Sequence, residues 1–299
     1  MITRHEAEDL SQRNTFGMKV SCRLYVEVTE PEDLLSLDFD ALPQPVFVMG
    51  GGSNLLFTKD FPGTVLRFAG ALPPNDPRGL KALSDFCACK SPGPGRAPDG
   101  AIALLQMPEE TLVRIPAGVV FDDFCAWAAA EGLWGPENLS LIPGEVSASA
   151  VQNIGAYGVE AKDIIDTVHA FDRQERRFVD IPGADCGYGY RTSLFKTAWK
   201  GRYIITAVTF RLSTAPQPKL DYGGVRKALG DREPAPQVIR DTIIGIREQK
   251  LPDPKEIGSA GSSSATRSST RSILRASSPS RRRRMARNMK CRTMRSAKK

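Results

Sequence analysis

A sharp change in charge divides this chain and limits how much of it can form a core. From Gly258 to Lys299 there are ten arginines and three lysines but no aspartate or glutamate. Because the whole chain carries +7, residues 1–257 carry −6. The basic segment also holds 11 serines among 42 residues, a composition that cannot bury enough apolar surface to offset the entropy of ordering. We therefore expect an acidic folded body followed by a disordered Ser/Arg-rich tail over 263–299.

The remaining composition is that of a globular protein, with 41% hydrophobic and 25% charged residues. The first ten residues contain no apolar run typical of a secretory signal, and no window approaches eighteen apolar residues. Six scattered cysteines and two histidines match no zinc-site spacing and poorly supply a Ser-His-Asp triad. We expect a cytoplasmic protein with free thiols, no membrane segment and no metal site.

Hydrophobic patterning predicts many strands separated by glycine- and proline-rich turns, and few helices, which favours an α+β fold. Strands are predicted at 45–49, 55–57, 64–68, 101–106, 111–115, 167–171, 177–181 and 202–212. Helices are predicted at 121–131, stopped by Gly132, and at 236–250. The apolar face of the second helix comprises Ile239, Thr242, Ile243 and Ile246.

A glycine-rich segment, Gly50-Gly51-Gly52-Ser53-Asn54, follows the strand predicted at 45–49. Glycines let successive N–H groups approach an anion, and serine and asparagine add donors, so a phosphate or pyrophosphate is the natural ligand. The segment lacks the Lys-Ser/Thr of a Walker loop and the helix-opening G-x-G-x-x-G of a dinucleotide site. On its own it is equally consistent with a plain hairpin turn.

Three further segments carry candidate chemistry. Residues 141–160 are rich in small side chains with few charges, which suits either a backbone wrapped around a flat ligand or close packing without one. Arg191 lies in an aromatic segment, where it can bind a carboxylate, stabilise an oxyanion or serve packing alone. Ser262 follows a glycine at a turn and is either a proton donor or part of a flexible loop.

Taken together and in this order, these segments resemble the flavin-dependent UDP-N-acetylenolpyruvoylglucosamine reductase family of peptidoglycan synthesis. The resemblance spans about residues 14–262, with an apparent insertion near 71–100, and QNIGAYG is its most specific motif. The matching pieces are Asn14-Thr15-Phe16-Gly17, GGGSNLLF at 50–57, ENLSLIPG at 137–144, QNIGAYGVE at 152–160, YGYRTSLFK at 188–196 and KLPDP at 250–254.

The resemblance implies an FAD-binding fold of the vanillyl-alcohol-oxidase (PCMH) type, in two subdomains over 14–213. It places an N-terminal extension at 1–13 and the truncated start of an α+β substrate-binding domain at 214–262. It also implies that NADPH reduces FAD, and that a hydride then passes to the enolpyruvyl double bond of the UDP-sugar, giving UDP-N-acetylmuramate. Such a transfer builds enolate-like charge, which needs a nearby cation and a proton donor.

Carried over position by position, the resemblance assigns Arg191 to polarise the enolpyruvyl carboxylate and Ser262 to protonate the resulting enol. Substrate-binding positions are implied at Tyr157, Tyr190, Tyr222 and Lys250. The implied FAD contacts are Gly50, Gly51, Gly52, Ser53, Asn54, Ser149, Asn153, Ile154, Gly155, Gly158 and Ile205.

After Ser262 the sequence departs from the family's pattern. The family continues into two phenylalanines and Asn-Pro, and later supplies a catalytic glutamate, whereas residues 263–299 here are rich in serine and arginine. We interpret this change as a reading-frame shift near 262–264 and expect an intact flavin-binding half with weak or absent turnover. The alternatives are a nucleic-acid-binding protein acting through 281–284, for which we expect no specificity, and a flavin oxidase with another substrate.

Overall fold

The computed structural model describes residues 1–69 and 104–251, and in these ranges it shows the mixed helix and strand content predicted. The strands are β1 (Ile2–Asp9), β2 (Ser21–Val28), β3 (Val46–Val48), β4 (Phe61–Phe68), β5 (Leu104–Gln106), β6 (Glu110–Pro116), β7 (Gly155–Ala156), β8 (Val159–Glu160), β9 (Ile165–Asp172), β10 (Arg177–Pro182) and β11 (Tyr203–Ser213). The helices are α1 (Asp33–Ser36), α2 (Phe121–Ala130), α3 (Val146–Gln152), α4 (Val225–Leu229) and α5 (Pro236–Lys250).

The first sheet has the strand order β1-β2-β4-β3. β1 pairs antiparallel with β2, while β4 lies parallel to both β2 and β3. Residues 1–13, expected as an N-terminal extension, thus contribute a strand to this sheet. The charged and mostly exposed side chains of β1 are typical of an edge strand, which explains why hydrophobic patterning did not reveal it.

The second sheet is antiparallel throughout, in the order β10-β9-β11-β6-β5. The predicted hairpin is confirmed as β9 and β10, and the strand predicted at 202–212 is confirmed as β11. Residues 55–57, by contrast, form no strand, so that prediction is wrong. They belong to the segment that connects the turn at 50–54 with β4, and they pair with no strand.

Both sheets bury their inner faces in one hydrophobic core. The first sheet contributes residues such as Leu66 and Phe68, and the second contributes Val168 and Phe210. The predicted helix at 121–131 is confirmed as α2, whose Phe124 stacks on Phe210 with ring centroids 4.5 Å apart. Because the core is shared, the two sheets meet along a junction where loops from each can face one another.

A separate small core surrounds α4 and α5. The predicted apolar face of the helix at 236–250 is confirmed, and it packs with Val225 and Leu229 of α4 and with Trp134. The helix begins at Pro236, where a missing N–H costs nothing in the first turn. None of the helices in the described ranges is long and apolar enough to cross a bilayer.

A buried ion pair fastens α5 to the shared core. Arg240 donates two hydrogen bonds to Asp122 of α2, at 2.5 and 3.0 Å, and the Leu141 N–H donates to the same carboxylate at 2.5 Å. Burial alone would raise the pKa of Asp122, but the hydrogen bonds from Arg240 and Leu141 leave it below its ordinary value. The pair therefore links α2, α5 and the segment that precedes α3.

Several predictions fall on residues outside the described ranges. They are the insertion at 71–100, the first three residues of the strand at 101–106, Ser262, and the tail at 263–299. They remain predictions.

Replacing Arg240 by methionine is expected to lower the free energy of unfolding by about 3 kcal/mol, because it leaves the largely buried Asp122 carboxylate without its partner. The matched control is Arg226→Met. Arg226 pairs with Asp221 at 2.7 Å, but both side chains are mostly exposed, so the loss should stay below about 1 kcal/mol. Urea unfolding followed by circular dichroism measures both, and equal losses would contradict the role assigned to the buried pair.

Candidate functional site

A cavity of about 480 Å³ lies between residues 50–54, here called the glycine loop, and helix α3. Strand β11 supplies another wall through Tyr203 and Ile205. The described residues that line the cavity are Val46, Phe47, Val48, Met49, Gly50, Gly51, Gly52, Ser53, Asn54, Leu55, Phe68, Ser147, Ala148, Val151, Gln152, Phe195, Lys196, Lys200, Gly201, Tyr203 and Ile205.

The chemistry of this lining suits a ligand that is partly flat and apolar and partly anionic. Valine, isoleucine and aromatic side chains form its apolar surface, whereas Lys196 and Lys200 contribute positive charge. Among the lining residues in the described part of the chain there is no aspartate or glutamate. A flavin ring with a pyrophosphate has both of these properties, so the residues present fit FAD.

The glycine loop passes so close to the N-terminal segment that glycine is required at one position. Gly52 has a φ of +70°, and a Cβ there would lie 1.9 Å from the Arg13 carbonyl oxygen. The Thr15 hydroxyl also donates to the Ser53 carbonyl at 3.2 Å. Asn14 holds the turn that presents these groups, because its amide donates to the Leu10 carbonyl at 2.7 Å. The Asn14–Gly17 motif thus supports the glycine loop.

Helix α3 forms the opposite side of the cavity. Residues 141–160, for which the sequence suited either a backbone wrapped around a flat ligand or close packing without one, include this helix at 146–152. Small side chains at Ser147 and Ala148 let this helix line the cavity closely, and Asn54 donates to the Gln152 side chain at 2.8 Å. This contact ties the glycine loop to the end of the helix.

The implied FAD contacts divide into two groups. Gly50 to Asn54 and Ile205 line the cavity. The others lie outside its lining: Ser149 is buried, and its hydroxyl donates to the Val146 carbonyl at 2.6 Å. Asn153, Ile154, Gly155 and Gly158 follow α3 in residues 153–158, here called the second loop.

The second loop is fixed against the segment that carries Arg191. Asn153 has a left-handed backbone, with φ +46°, and its side chain donates to the Gly189 carbonyl at 2.9 Å. Arg191 is also left-handed, with φ +55°, and its guanidinium donates to the carbonyl oxygens of Asn153 and Gly155. Its guanidinium carbon lies 5.6 Å from the Tyr190 ring centroid. The structure therefore places Arg191 beside the second loop.

Two implied substrate-binding tyrosines lie close together. A Cβ on Gly223 would be 2.6 Å from the Tyr157 ring, and a Cβ on Gly158 would be 3.1 Å from Cβ of Tyr222. Burial raises the pKa of Tyr157, and the neighbouring Arg247 opposes that rise. Tyr222 is 64% exposed, and Tyr190 beside Arg191 is 70% exposed. Lys250 is exposed at the end of α5.

Sequence reasoning missed a buried ion pair behind the glycine loop. Glu145, just before α3, is 4% exposed, and Arg67 of β4 donates to it at 2.6 Å. Burial raises the pKa of Glu145, while Arg67 and the Gly51 N–H lower it in part. One signal could have predicted the pair: Arg67 is the only charged residue in the apolar stretch TVLRF, and Glu145 is the only one in the small-residue stretch LIPGEVSASA. The two lysines of the cavity were missed as well.

Comparisons with known proteins agree with this geometry. A model of the FAD-binding domain matches residues 103–176. A UDP-N-acetylenolpyruvoylglucosamine reductase of Cupriavidus pinatubonensis (strain JMP 134 / LMG 1197) is 42% identical over 265 residues, which cover 88% of this chain and 70% of that protein. Proteins of the same name from Bacteroides fragilis (strain YCH46) and Neisseria meningitidis serogroup B (strain ATCC BAA-335 / MC58) are 40% and 37% identical, and 68% and 67% of their lengths are covered.

A solved structure is similar in fold. The crystal structure of UDP-N-acetylenolpyruvylglucosamine reductase from Thermus caldophilus superposes with a TM-score of 0.55 at 22% identity, covering 87% of this chain and 73% of that one. The predicted α+β FAD-binding fold is confirmed by this likeness and by the domain match.

Gly52→Ala is expected to abolish FAD retention, because the added methyl group would overlap the Arg13 carbonyl and force the loop away from the cavity. Gly132→Ala is the matched control. Gly132 has the same φ of +70°, with nothing within 4 Å of a Cβ, so it carries the same left-handed strain of about 1 kcal/mol without the overlap. Flavin absorbance of the purified proteins measures the result. Retention of FAD by both variants would show that the close approach does not govern binding.

Proposed function

This chain belongs to the UDP-N-acetylenolpyruvoylglucosamine reductase family, and we propose that it uses NADPH to reduce UDP-N-acetylglucosamine enolpyruvate to UDP-N-acetylmuramate through FAD. That it is a flavin oxidoreductase follows from its relatives and its FAD-binding domain. The electron donor, the residue roles and a cytoplasmic location are our proposal. One observation supports this proposal most strongly. Helix α3 lines the cavity, and the second loop, which follows α3, is hydrogen-bonded to the segment that carries Arg191.

In this proposal the glycine loop and Ile205 hold the cofactor. Backbone N–H groups of the glycine loop other than that of Gly51, which faces Glu145, suit the pyrophosphate, and Lys196 and Lys200 add positive charge. Apolar side chains of the same cavity suit the ring system. When bound, FAD supplies the capacity to accept a hydride from NADPH and to deliver one to the substrate. Asn153, Ile154, Gly155 and Gly158 lie outside the cavity lining and would contact FAD where it extends beyond the cavity toward the second loop.

Arg191 stabilises the charge that develops on the substrate. Hydride addition beside a carboxylate places negative charge on that group, and a fixed guanidinium nearby lowers the energy of the transition state. Hydrogen bonds to the carbonyl oxygens of Asn153 and Gly155 orient Arg191 before substrate arrives. Ser262, which lies outside the described residues, delivers the proton to the neighbouring carbon.

The UDP-sugar binds across the tyrosine pair and the C-terminal end of α5. Tyr157 and Tyr222 are neighbours, Tyr190 flanks Arg191, and Lys250 offers a positive charge for the diphosphate. Because residues 263–299 differ from the continuation that the family resemblance implies, we expect reduction of the UDP-sugar to be slow. Flavin reduction by NADPH depends on the flavin-binding half and should persist.

An anaerobic two-stage assay tests this function. NADPH added to the FAD-loaded protein should bleach the flavin absorbance, and UDP-N-acetylglucosamine enolpyruvate should then restore it while UDP-N-acetylmuramate forms. No bleaching with NADPH, or bleaching reversed equally well by unrelated enolpyruvyl compounds, would overturn the proposal.

Arg191→Gln separates the two stages. We expect bleaching by NADPH to be retained and recovery with the UDP-sugar to slow by about a hundredfold, because one charged group that stabilises the transition state is lost. Arg226→Gln is the control, since that arginine is exposed and pairs only with the exposed Asp221 among the described contacts. Stopped-flow absorbance measures both stages. Equal recovery rates in the two variants would remove Arg191 from the proposed role.

A further inference from the structure

The Glu145 carboxylate packs against the glycine loop, at the positions that side chains on Gly50 and Gly51 would approach. A Cβ on Gly50 would be 3.0 Å from one oxygen of Glu145, and a Cβ on Gly51 would be 3.3 Å from the other. Glu145 itself does not line the cavity, although both glycines do. The acid therefore packs behind the two residues of the loop whose backbone faces the ligand.

Arg67 keeps this acid from being an isolated buried charge. Its guanidinium donates to Glu145 at 2.6 Å and to Glu27 of β2 at 3.2 Å. The Tyr25 hydroxyl donates to the same Glu27 carboxylate at 3.0 Å and accepts from Arg13 at 3.0 Å. A chain of hydrogen bonds thus runs from the N-terminal segment, through β2 and β4, to the back of the glycine loop.

Burying the Glu145 carboxylate behind the loop costs desolvation free energy. Removing two charged groups from water costs several kcal/mol, and apolar residues of similar volume are often no less stable. An uncompensated negative charge behind the loop would also repel a pyrophosphate in front of it. Within the described contacts, one Glu145 oxygen has no hydrogen-bond partner, and neither has Arg67 Nε. Stability alone therefore gives no reason for this pair.

We propose that Glu145 and Arg67 are a positioning pair for the flavin: together they hold the glycine loop in its binding conformation while adding no net charge beside the pyrophosphate. Glu145 fixes the Gly50–Gly51 backbone, and Arg67 fixes and neutralises Glu145. The raised pKa of Glu145 and the contribution of the Gly51 N–H are consistent with this arrangement. The inference rests on the proposed FAD site at the glycine loop.

FAD affinity of the full-length apoprotein tests the inference, measured by quenching of flavin fluorescence. Glu145→Ala should weaken binding about ten- to a hundredfold, since a charge-assisted support of the loop is lost. Glu145→Gln should weaken it less, because the amide oxygen still accepts one hydrogen bond. Glu137→Gln is the matched control: Glu137 is also buried and also accepts a glycine N–H, from Gly135 at 2.6 Å, but it lies outside the cavity lining. It should bind FAD as the wild type does.

Arg67→Met provides a readout that a purely structural role would not change. It leaves Glu145 facing Glu27 and the Gly51 N–H without a cationic partner, so the Glu145 charge repels the pyrophosphate at neutral pH. FAD affinity of this variant should recover as the pH falls and Glu145 takes up a proton. The double variant Arg67→Met/Glu145→Gln should bind more tightly than Arg67→Met and lose that pH dependence.

The outcomes distinguish failure of the positioning role of Glu145 and Arg67 from failure of the proposed FAD-dependent function. A wild-type chain that binds no FAD overturns the proposed function together with this inference. A wild type that binds FAD, with Glu145→Ala binding equally well, overturns the inference alone. Glu145→Gln and Glu137→Gln weakening binding alike, or an Arg67→Met loss that pH does not reverse, also overturns it. Circular dichroism confirms that each variant is folded.

Discussion

The backbone of Gly52 and the carbonyl of Arg13 approach each other so closely that no side chain fits between them. This contact fixes the glycine loop against the segment between β1 and β2, and it makes that segment part of the candidate site. The turn around Asn14 and the Thr15–Ser53 hydrogen bond reinforce the same contact. The cavity exists because α3 faces the loop from the other side at a fixed separation.

Two buried ion pairs hold the segment that leads into α3. At one end, the Leu141 N–H donates to Asp122, whose main partner is Arg240. At the other end, Glu145 accepts from Arg67. Five residues of chain are thus anchored to α5 on one side and to β4 on the other. The position of α3, and with it the placement of both loops, follows from these two anchors.

Elements with a periodic pattern of buried residues could be predicted from the sequence. Elements whose position depends on contacts between distant residues could not. The alternating residues of β9, β10 and β11 and the apolar face of α5 were predictable because each pattern repeats along one element. Helix α3 was not, since its serines and alanines carry no helical periodicity and its ends are fixed by contacts with distant residues. The glycine loop could be identified by its composition, whereas the partner of Glu145 is 78 residues away in the chain.

Left-handed backbone at Asn153, Tyr157 and Arg191 has a consequence for the stability of the fold. Each non-glycine residue in this conformation costs about 1 kcal/mol or more relative to ordinary backbone. All three belong to the second loop or the segment fixed against it, so the region proposed to bind substrate also stores backbone strain. Glycine at Asn153 would relax the main chain but remove the hydrogen bond to the Gly189 carbonyl, and glycine at Arg191 would remove the bonds to the Asn153 and Gly155 carbonyls. The same side chains that bear the backbone strain therefore keep it in place, so this part of the molecule tolerates the strained conformation only while those contacts persist.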